Sequence, residues 1–397
     1  MEKNRKYIAI ISFLRKFVSV FFNMFFNIYI LKMVNNDISF IIKYTLFGVI
    51  AEFIICFLIL RFINSKNAKT IYKSSFILII INIGILLLFK EKIVEYIFIF
   101  KVLERLAAVC YSMPYELVVI GSNNDKSMSS FIANINILSA IATILTPVFS
   151  GFIIEKFSYY MLFILLIIEA IIIICISSKI KEFTVPDKKL ELGKFLKIVK
   201  DKQQMKDIYK CMFYRRISSQ GAMTELLPII LFLRLGTEFN LGKYNSIFAI
   251  ISIVSLQILK IINNKKIKKD FYPILAVVIF VSSILVVYNS SFITLLIYYI
   301  LMKSFGTIIE SESCSLVYAV TKTDDLEEYK KEHILTYNIY MAIGQVISYS
   351  IVYILYNYFY DVNILSISVA ILMFFLIIST VYLRKVETYL REYKESK

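Results

Sequence analysis

The chain has 397 residues, of which 59% are hydrophobic and 19% charged, with 10 Gly, 5 Pro and a formal net charge of +16. A soluble chain of this length keeps about half its residues apolar; here the excess comes in unbroken blocks, which excludes an ordinary soluble multidomain protein. The five cysteines stand singly, at no metal-ligand or disulfide-framework spacing, so the sequence offers neither a structural metal module nor a cystine-stapled fold.

Blocks such as ISFIIKYTLFGVIAEFIICFLIL (38–60), SSFILIIINIGILLLF (74–89) and YYMLFILLIIEAIIIICISS (159–178) approach or exceed the roughly 20 residues that cross a bilayer. Apolar runs and polar breaks together predict about twelve spans, beginning near residues 12, 38, 72, 94, 130, 158, 211, 243, 271, 292, 332 and 362. The expected fold class is therefore an all-α integral membrane protein. The first run is interrupted by Arg15 and Lys16 and is followed by no small-residue cleavage site, so it reads as a span and not as a signal peptide.

Lys and Arg gather in EKNRK (2–6), INSKNAK (63–69), the segment 179–210, NNKKIKK (263–269) and the tail from Arg384. The alternate loops VNND (34–37), YNSS (288–291) and YNYFYD (356–361) carry almost none. This asymmetry places both termini and the 179–210 segment in the cytoplasm and requires an even number of spans in the cell membrane. The positive charge thus encodes topology, with some attraction to anionic lipid, and is no footprint of nucleic acid.

The chain repeats itself at an offset of about 200 residues. FLRKFVS (13–19) matches FYRRISS (213–219), KYTLFGVI (43–50) matches KYNSIFAI (243–250), and INSKNAK (63–69) matches INNKKIK (262–268). GSNND (121–125) and TKTDD (321–325) end in Asp125 and Asp325. The spacing predicts two homologous halves of about six spans each, in the same orientation: 1–178, then a cytoplasmic connector 179–210, then 211–397. The connector is Lys-rich, and Leu190, Leu192, Phe195, Leu196, Ile198 and Val199 recur at helical spacing. It reads as a short amphipathic helix on the membrane surface.

Two six-span halves of like orientation joined by a long cytoplasmic loop resemble the major facilitator superfamily over essentially the whole chain. The Arg15/Lys16 and Arg215/Arg216 pairs then mark the cytoplasmic mouth of the first span of each half, either snorkelling to the interface or gating it. In the fourth span FKVLERLAAV (100–109) is similar to the superfamily pattern Arg-x-x-Gln-Gly-x-Gly-Ala-Ala, with Lys101 at the Arg position and Glu104 at the Gln position. Arg105 replaces a glycine of that pattern. Three ionisable groups so close together in a span are costly unless they face water or each other. They read either as a cavity-lining cluster or as a self-neutralised structural set.

In the fifth span ATILTPVFSG (142–151) looks like a degenerate antiporter pattern, small-x3-Gly-Pro-x2-Gly-Gly. Pro147 and Gly151 match, while Ala142, Thr146 and Ser150 are small where the pattern prefers glycine. With Ala133, Asn136, Ala140 and Thr143 they line one face, which lets two helix backbones approach closely. The superfamily's acidic-basic loop after the second span is mostly missing, because LRFINSKNAK (60–69) has no Asp.

Further charges lie deep in spans: Glu52 in the second, Glu225 in the seventh, and Lys303, Glu310 and Glu312 in the tenth. The resemblance implies that the first, fourth, seventh and tenth helices line a central cavity. Asn23, Asn27, Lys101, Glu104, Arg105, Glu225, Lys303, Glu310 and Glu312 would then be the substrate-facing set. A carboxyl group in a low-dielectric site can exchange a proton near neutral pH, so Glu52, Glu225 and Glu310 are the coupling candidates. Glu169 in the sixth span reads as a structural pair or an interfacial contact, and His333 at the start of the eleventh as an interfacial residue.

The implied activity is secondary transport of a small molecule by a monomer with no cofactor, driven by protons in the direction of efflux. Proton-symport uptake and a non-transporting sensor or partner subunit are the alternatives. An enzyme has no support, since no nucleophile-base pair, metal cluster or phosphate-binding GxxxxGK[ST] loop is present. The absence of that loop also argues against an ATP-driven exporter.

Overall fold

A computed structural model describes residues 2–121, 126–180, 185, 190–263, 271–323, 326–359 and 364–395, and every element among them is helical. Asp125, Asp325 and 264–269 lie outside the described residues, as do the side chains of Ala133 and Asn136.

The first half opens with α1 (Glu2–Val20), a π-helical turn (Phe21–Phe25) and α2 (Phe26–Met33) in one continuous run. It continues with α3 (Ile38–Phe62), α4 (Ala68–Phe89), a 3-10 turn (Lys90–Tyr96) leading into α5 (Ile97–Gly121), α6 (Lys126–Lys156) and α7 (Tyr159–Ser178). The connector carries α8 (Leu192–Asp201). The second half repeats the order: α9 (Gln203–Ile217) and α10 (Met223–Leu235), α11 (Glu238–Asn263), α12 (Phe271–Tyr288), α13 (Phe292–Leu301) through a π-helical turn (Met302–Gly306) into α14 (Thr307–Thr323), α15 (Lys330–Tyr358) and α16 (Ile364–Glu395).

Among the described residues ten helical stretches are long and apolar enough to cross a membrane, and one of them, Ala68–Leu117, joins α4 and α5. The α9–α10 run falls outside that set because residues 218–222 leave the helix, so neither piece reaches spanning length alone. Each half therefore has six runs. The 200-residue offset recurs in the backbone: Asn36 at φ 64° and Gly236 at φ 77° turn the chain between the first and second runs of each half. Asn and Gly tolerate that left-handed geometry, which most side chains resist. On the first of these turns Asp37 caps α3 by accepting from the Phe40 N–H at 3.2 Å.

The chain packs as two units, one of residues 1–190 with 231–247, the other of 191–230 with 248–397. The core of the first is aromatic. Phe21 meets Phe163 edge-on at 5.5 Å, Phe26 lies 5.0 Å from Phe100 and Tyr29 4.9 Å from Tyr159, tying the first run to α5 and α7. In the second unit Tyr209 stacks on Tyr340, Tyr214 on Tyr382 and Phe248 on Tyr299, tying α9 to α15 and α16, and α11 to α13. Ile, Leu and Phe side chains such as Leu88, Ile99 and Ile293 remain exposed on the spans, as a lipid-facing surface requires.

Segment 231–247 packs into the first unit through very close backbone contacts. A Cβ on Gly151 would meet the Glu238 carbonyl and lie 3.0 Å from Phe239 Cα, and one on Gly242 would meet the Pro147 carbonyl. Ala142, Thr146 and Ser150 are buried on the same face of α6. Thr146 donates to the Ala142 carbonyl at 2.6 Å, so its hydroxyl is satisfied within the helix. Glu238, itself buried, pairs with Lys32 and accepts from Tyr159 Oη at 2.9 Å.

The connector helix sets part of its apolar face against protein. Phe195 and Val199 of α8 are buried in protein, with the Phe195 ring 5.9 Å from Tyr329 and 6.4 Å from His333. Its N-terminal Glu191 N–H donates to buried Glu332 at 2.7 Å. Phe195 is received there because neighbouring aromatic side chains offer packing that is denser than lipid tails, whereas Leu196 of the same stripe stays exposed.

Candidate functional site

The first unit gathers an ion network on α5 and α3. Lys101 Nζ lies 2.7 Å from Glu104 Oε2, Arg105 Nη1 donates to Glu52 Oε2 at 2.9 Å, and Arg105 Nε lies 3.7 Å from Glu104 Oε1. Helical spacing explains the first contact, since residues three apart share a face. The side chain of Lys101 is 1% exposed. It fits because α3 carries glycine opposite it: a Cβ on Gly48 would sit 2.8 Å from Lys101 Cε and Cγ. The Lys101 ammonium also stands 5.0 Å from the centre of the Tyr44 ring, whose hydroxyl donates to Asn27 on α2. Asn27, Lys101, Glu104, Arg105 and Glu52 are thus one connected set.

Other first-unit candidates lie apart from it. Asn23 is exposed on the π-helical turn, a feature that recurs at functional sites. Arg15 lies thirteen residues along α1 from Glu2, with its guanidinium 5.3 Å from the centre of the Tyr111 ring and with Nε and Nη1 buried without hydrogen-bond partners. It faces Glu169 on α7 and Glu104 on α5, so it turns into its own bundle. Lys16 is half-buried, and its carbonyl accepts from Ser19. Glu116, absent from the sequence reading, stands further along α5 and faces Glu52. A four-residue step from Ser112, itself seven residues beyond Arg105, would have pointed to it.

In the second unit the helix break at 218–222 is the organising feature. Arg215, just before it, is 1% exposed; its Nη1 donates to the Glu310 carbonyl at 3.1 Å and both terminal nitrogens approach Cys314 Sγ at 3.6 to 3.7 Å. Arg216 donates to Gln345 Oε1 from Nε at 2.9 Å and from Nη2 at 2.6 Å. Inside the break Gln220 donates to the Glu310 carboxylate, and the Ala222 N–H donates to Ser348 Oγ at 2.9 Å. Arg15 and Arg215, equivalent across the repeat, brace the first run of each half against its own fourth run.

Glu225 is buried in the first turn of α10, where the helix dipole favours a carboxylate. Lys303 lies in the π-helical turn, and its carbonyl accepts from Ser252 at 2.9 Å and Thr307 at 2.6 Å. Glu312 is not brought to Glu310: it faces Tyr272 and Glu387, while Glu310 is exposed. His333 is enclosed in protein, with Nδ1 2.7 Å from Tyr209 Oη. Among the described residues no group of three His, Cys, Asp or Glu could hold a metal ion.

No family model and no curated protein match this chain. Solved structures do match over nearly its full length. A D-xylose-proton symporter aligns with TM-score 0.71 at 11% identity, covering 95% of this chain and 96% of that one. A bacterial homologue of the iron transporter ferroportin, in an inward-facing state, aligns with TM-score 0.65 at 10% identity, covering 98% and 99%. A bacterial metal transporter aligns with TM-score 0.64 at 10% identity, covering 97% and 98%. The chain has the helical fold of these proteins.

Proposed function

We propose that this protein is a secondary active transporter that moves a small solute across the cytoplasmic membrane by alternating access, with protons as the coupling ion and efflux as the direction. The observation that carries this reading is the network of Glu52, Lys101, Glu104 and Arg105 on two membrane-spanning helices. A charged side chain at bilayer depth costs about 2.5–3.5 kcal/mol, and well-packed apolar residues hold helices together at least as well as a buried ion pair. Four ionisable groups at one place are better explained as machinery than as glue.

Glu52, Glu225 and Glu310 are the proposed proton-exchanging carboxylates, and Asn23, Asn27, Lys101 and Lys303 the proposed solute contacts. The small-residue face of α6 supports efflux, because its family pattern belongs to exporters. The second reading is proton-symport uptake; it draws support from the likeness to a D-xylose-proton symporter. Lipid and a monomeric state complete the proposal, with both termini in the cytoplasm.

The test is a screen of cationic, zwitterionic and amphipathic solutes in right-side-out and inverted vesicles with an imposed pH gradient. Accumulation against the solute gradient in inverted vesicles alone supports efflux, and in right-side-out vesicles alone, uptake. No gradient-dependent movement in either orientation removes transport.

A further inference from the structure

Gly151 and Gly242 let the backbones of α6 and α11 touch. Backbones this close leave no room between them, so the bulky side chains on the flanks splay to the sides. On one flank they frame a groove of about 670 Å³, all of it within the first unit. Leu145, Phe149 and Phe152 of α6 form one wall, Phe239 and Ser246 of α11 another, and Phe17 of α1 a third. Leu145, Phe149 and Phe152 are 43% to 53% exposed, so the groove opens on the outer face of a helix long and apolar enough to span a membrane.

Nothing in these walls recognises a polar solute. The one hydroxyl, that of Ser246, donates to the Ile144 carbonyl and is already spent. The volume falls within the roughly 300–1,000 Å³ of ligand pockets, and walls of phenylalanine and leucine suit a hydrocarbon chain. Charge gathers at one end. Phe239, Lys243 and Ser246 are spaced by four and three, which is one face of α11. The Lys243 ammonium stands 4.9 Å from the centre of the Phe239 ring, as a side chain leaning back towards its helix N-terminus must. That ring meets Phe152 edge-on at 6.1 Å, and Lys156 follows Phe152 by one turn on α6. Leu145 marks the other end, seven residues or about 10 Å away along α6. Both lysines are exposed, and no carboxylate among the described residues pairs with either. Glu238 is held by Lys32 and Tyr159, and Glu155 stands exposed beside Lys156.

We propose that this groove is a binding site for an anionic membrane phospholipid, with an acyl chain along Leu145, Phe149 and Phe152 and the phosphate at Lys243 and Lys156. Two cations at one end of a hydrocarbon slot match the layout of such a molecule, charge at the head and apolar chain behind it. A zwitterionic lipid brings an ammonium group to the same lysines and binds less well. The bound lipid covers the seam that Gly151 and Gly242 keep tight.

With no native tryptophan, the chain takes a single fluorophore in the groove from F149W. The full-length variant is reconstituted in phosphatidylcholine vesicles, and phosphatidylglycerol or phosphatidylcholine with brominated acyl chains is titrated in, because bromine quenches tryptophan on contact. Half-quenching of F149W should need roughly fivefold less brominated phosphatidylglycerol than brominated phosphatidylcholine. In I164W, on an exposed position of α7, both lipids should quench alike. F149W combined with K156Q and K243Q should lose the preference. F152W reports on the same groove should F149W fold poorly. Equal quenching by the two lipids at F149W and F152W, the same preference at I164W, or a preference that survives K156Q/K243Q overturns the proposal. So does a groove reporter that neither lipid quenches, which would mean that an apolar solute or protein fills the space. The transport reading is not at stake, because no solute is present.

Discussion

Replacing Lys101 with methionine keeps the length of the stem that fills the space over Gly48 while removing the charge. Glu104 is then left with Arg105 at 3.7 Å as its nearest cation, and Arg105 is already committed to Glu52 at 2.9 Å. The Glu104 side chain is 10% exposed, so water recovers little of the lost interaction. Breaking a buried ion pair from one side costs about 3–5 kcal/mol, most of it the penalty of the stranded partner. The double substitution K101M/E104Q removes both charges and leaves Arg105 paired with Glu52, so it should lie within about 1 kcal/mol of wild type. The chain has no Trp, so unfolding is best followed with a thiol-reactive dye, which reads exposure of buried Cys56, Cys110 and Cys211. A K101M variant as stable as wild type would refute the reasoning, as would a double variant whose loss equals the sum of the two single losses.

Other perturbations probe the packing. G242A should destabilise, because its Cβ meets the Pro147 carbonyl, by about 1–3 kcal/mol as overpacking does. G84A should stabilise by roughly 0.5–1 kcal/mol, since nothing lies within 4 Å of its Cβ; equal effects at the two sites on thermal melting contradict the close approach of α6 and α11. F195A should free the connector: Phe195 is fully buried and such truncations cost about 3–5 kcal/mol. Amide exchange across Leu192–Asp201 should then accelerate, whereas unchanged exchange there would mean that α8 is held by something else.

Much of this architecture was legible because bilayer crossing imposes long apolar runs, and a duplicated run keeps its spacing. The offset that pairs FLRKFVS with FYRRISS reappears as Asn36 and Gly236 at equivalent turns. The site was legible only where chemistry is local: Lys101, Glu104 and Arg105 declare themselves by helical spacing, but their partner Glu52 comes from another helix. Periodicity gives the face of a helix and not what covers it. For this reason the sequence shows a cation at Arg15 but not the Tyr111 ring beneath it, and an apolar stripe on α8 but not that His333 meets its Phe195. Gly242 and Glu238 escaped notice because a lone glycine and a lone acid at a span boundary carry no pattern; the backbone of α6 gives them meaning.

The most direct test of coupled transport uses proteoliposomes that enclose the pH-sensitive dye pyranine at acidic pH, in which external solutes are added one at a time. At least one solute should alkalinise the interior as protons leave in exchange, and E52Q should abolish that response while its thiol-dye melting profile still shows a folded protein. A panel in which no solute moves protons, or an E52Q response equal to wild type, would contradict the assignment of the Glu52–Arg105 network to proton coupling.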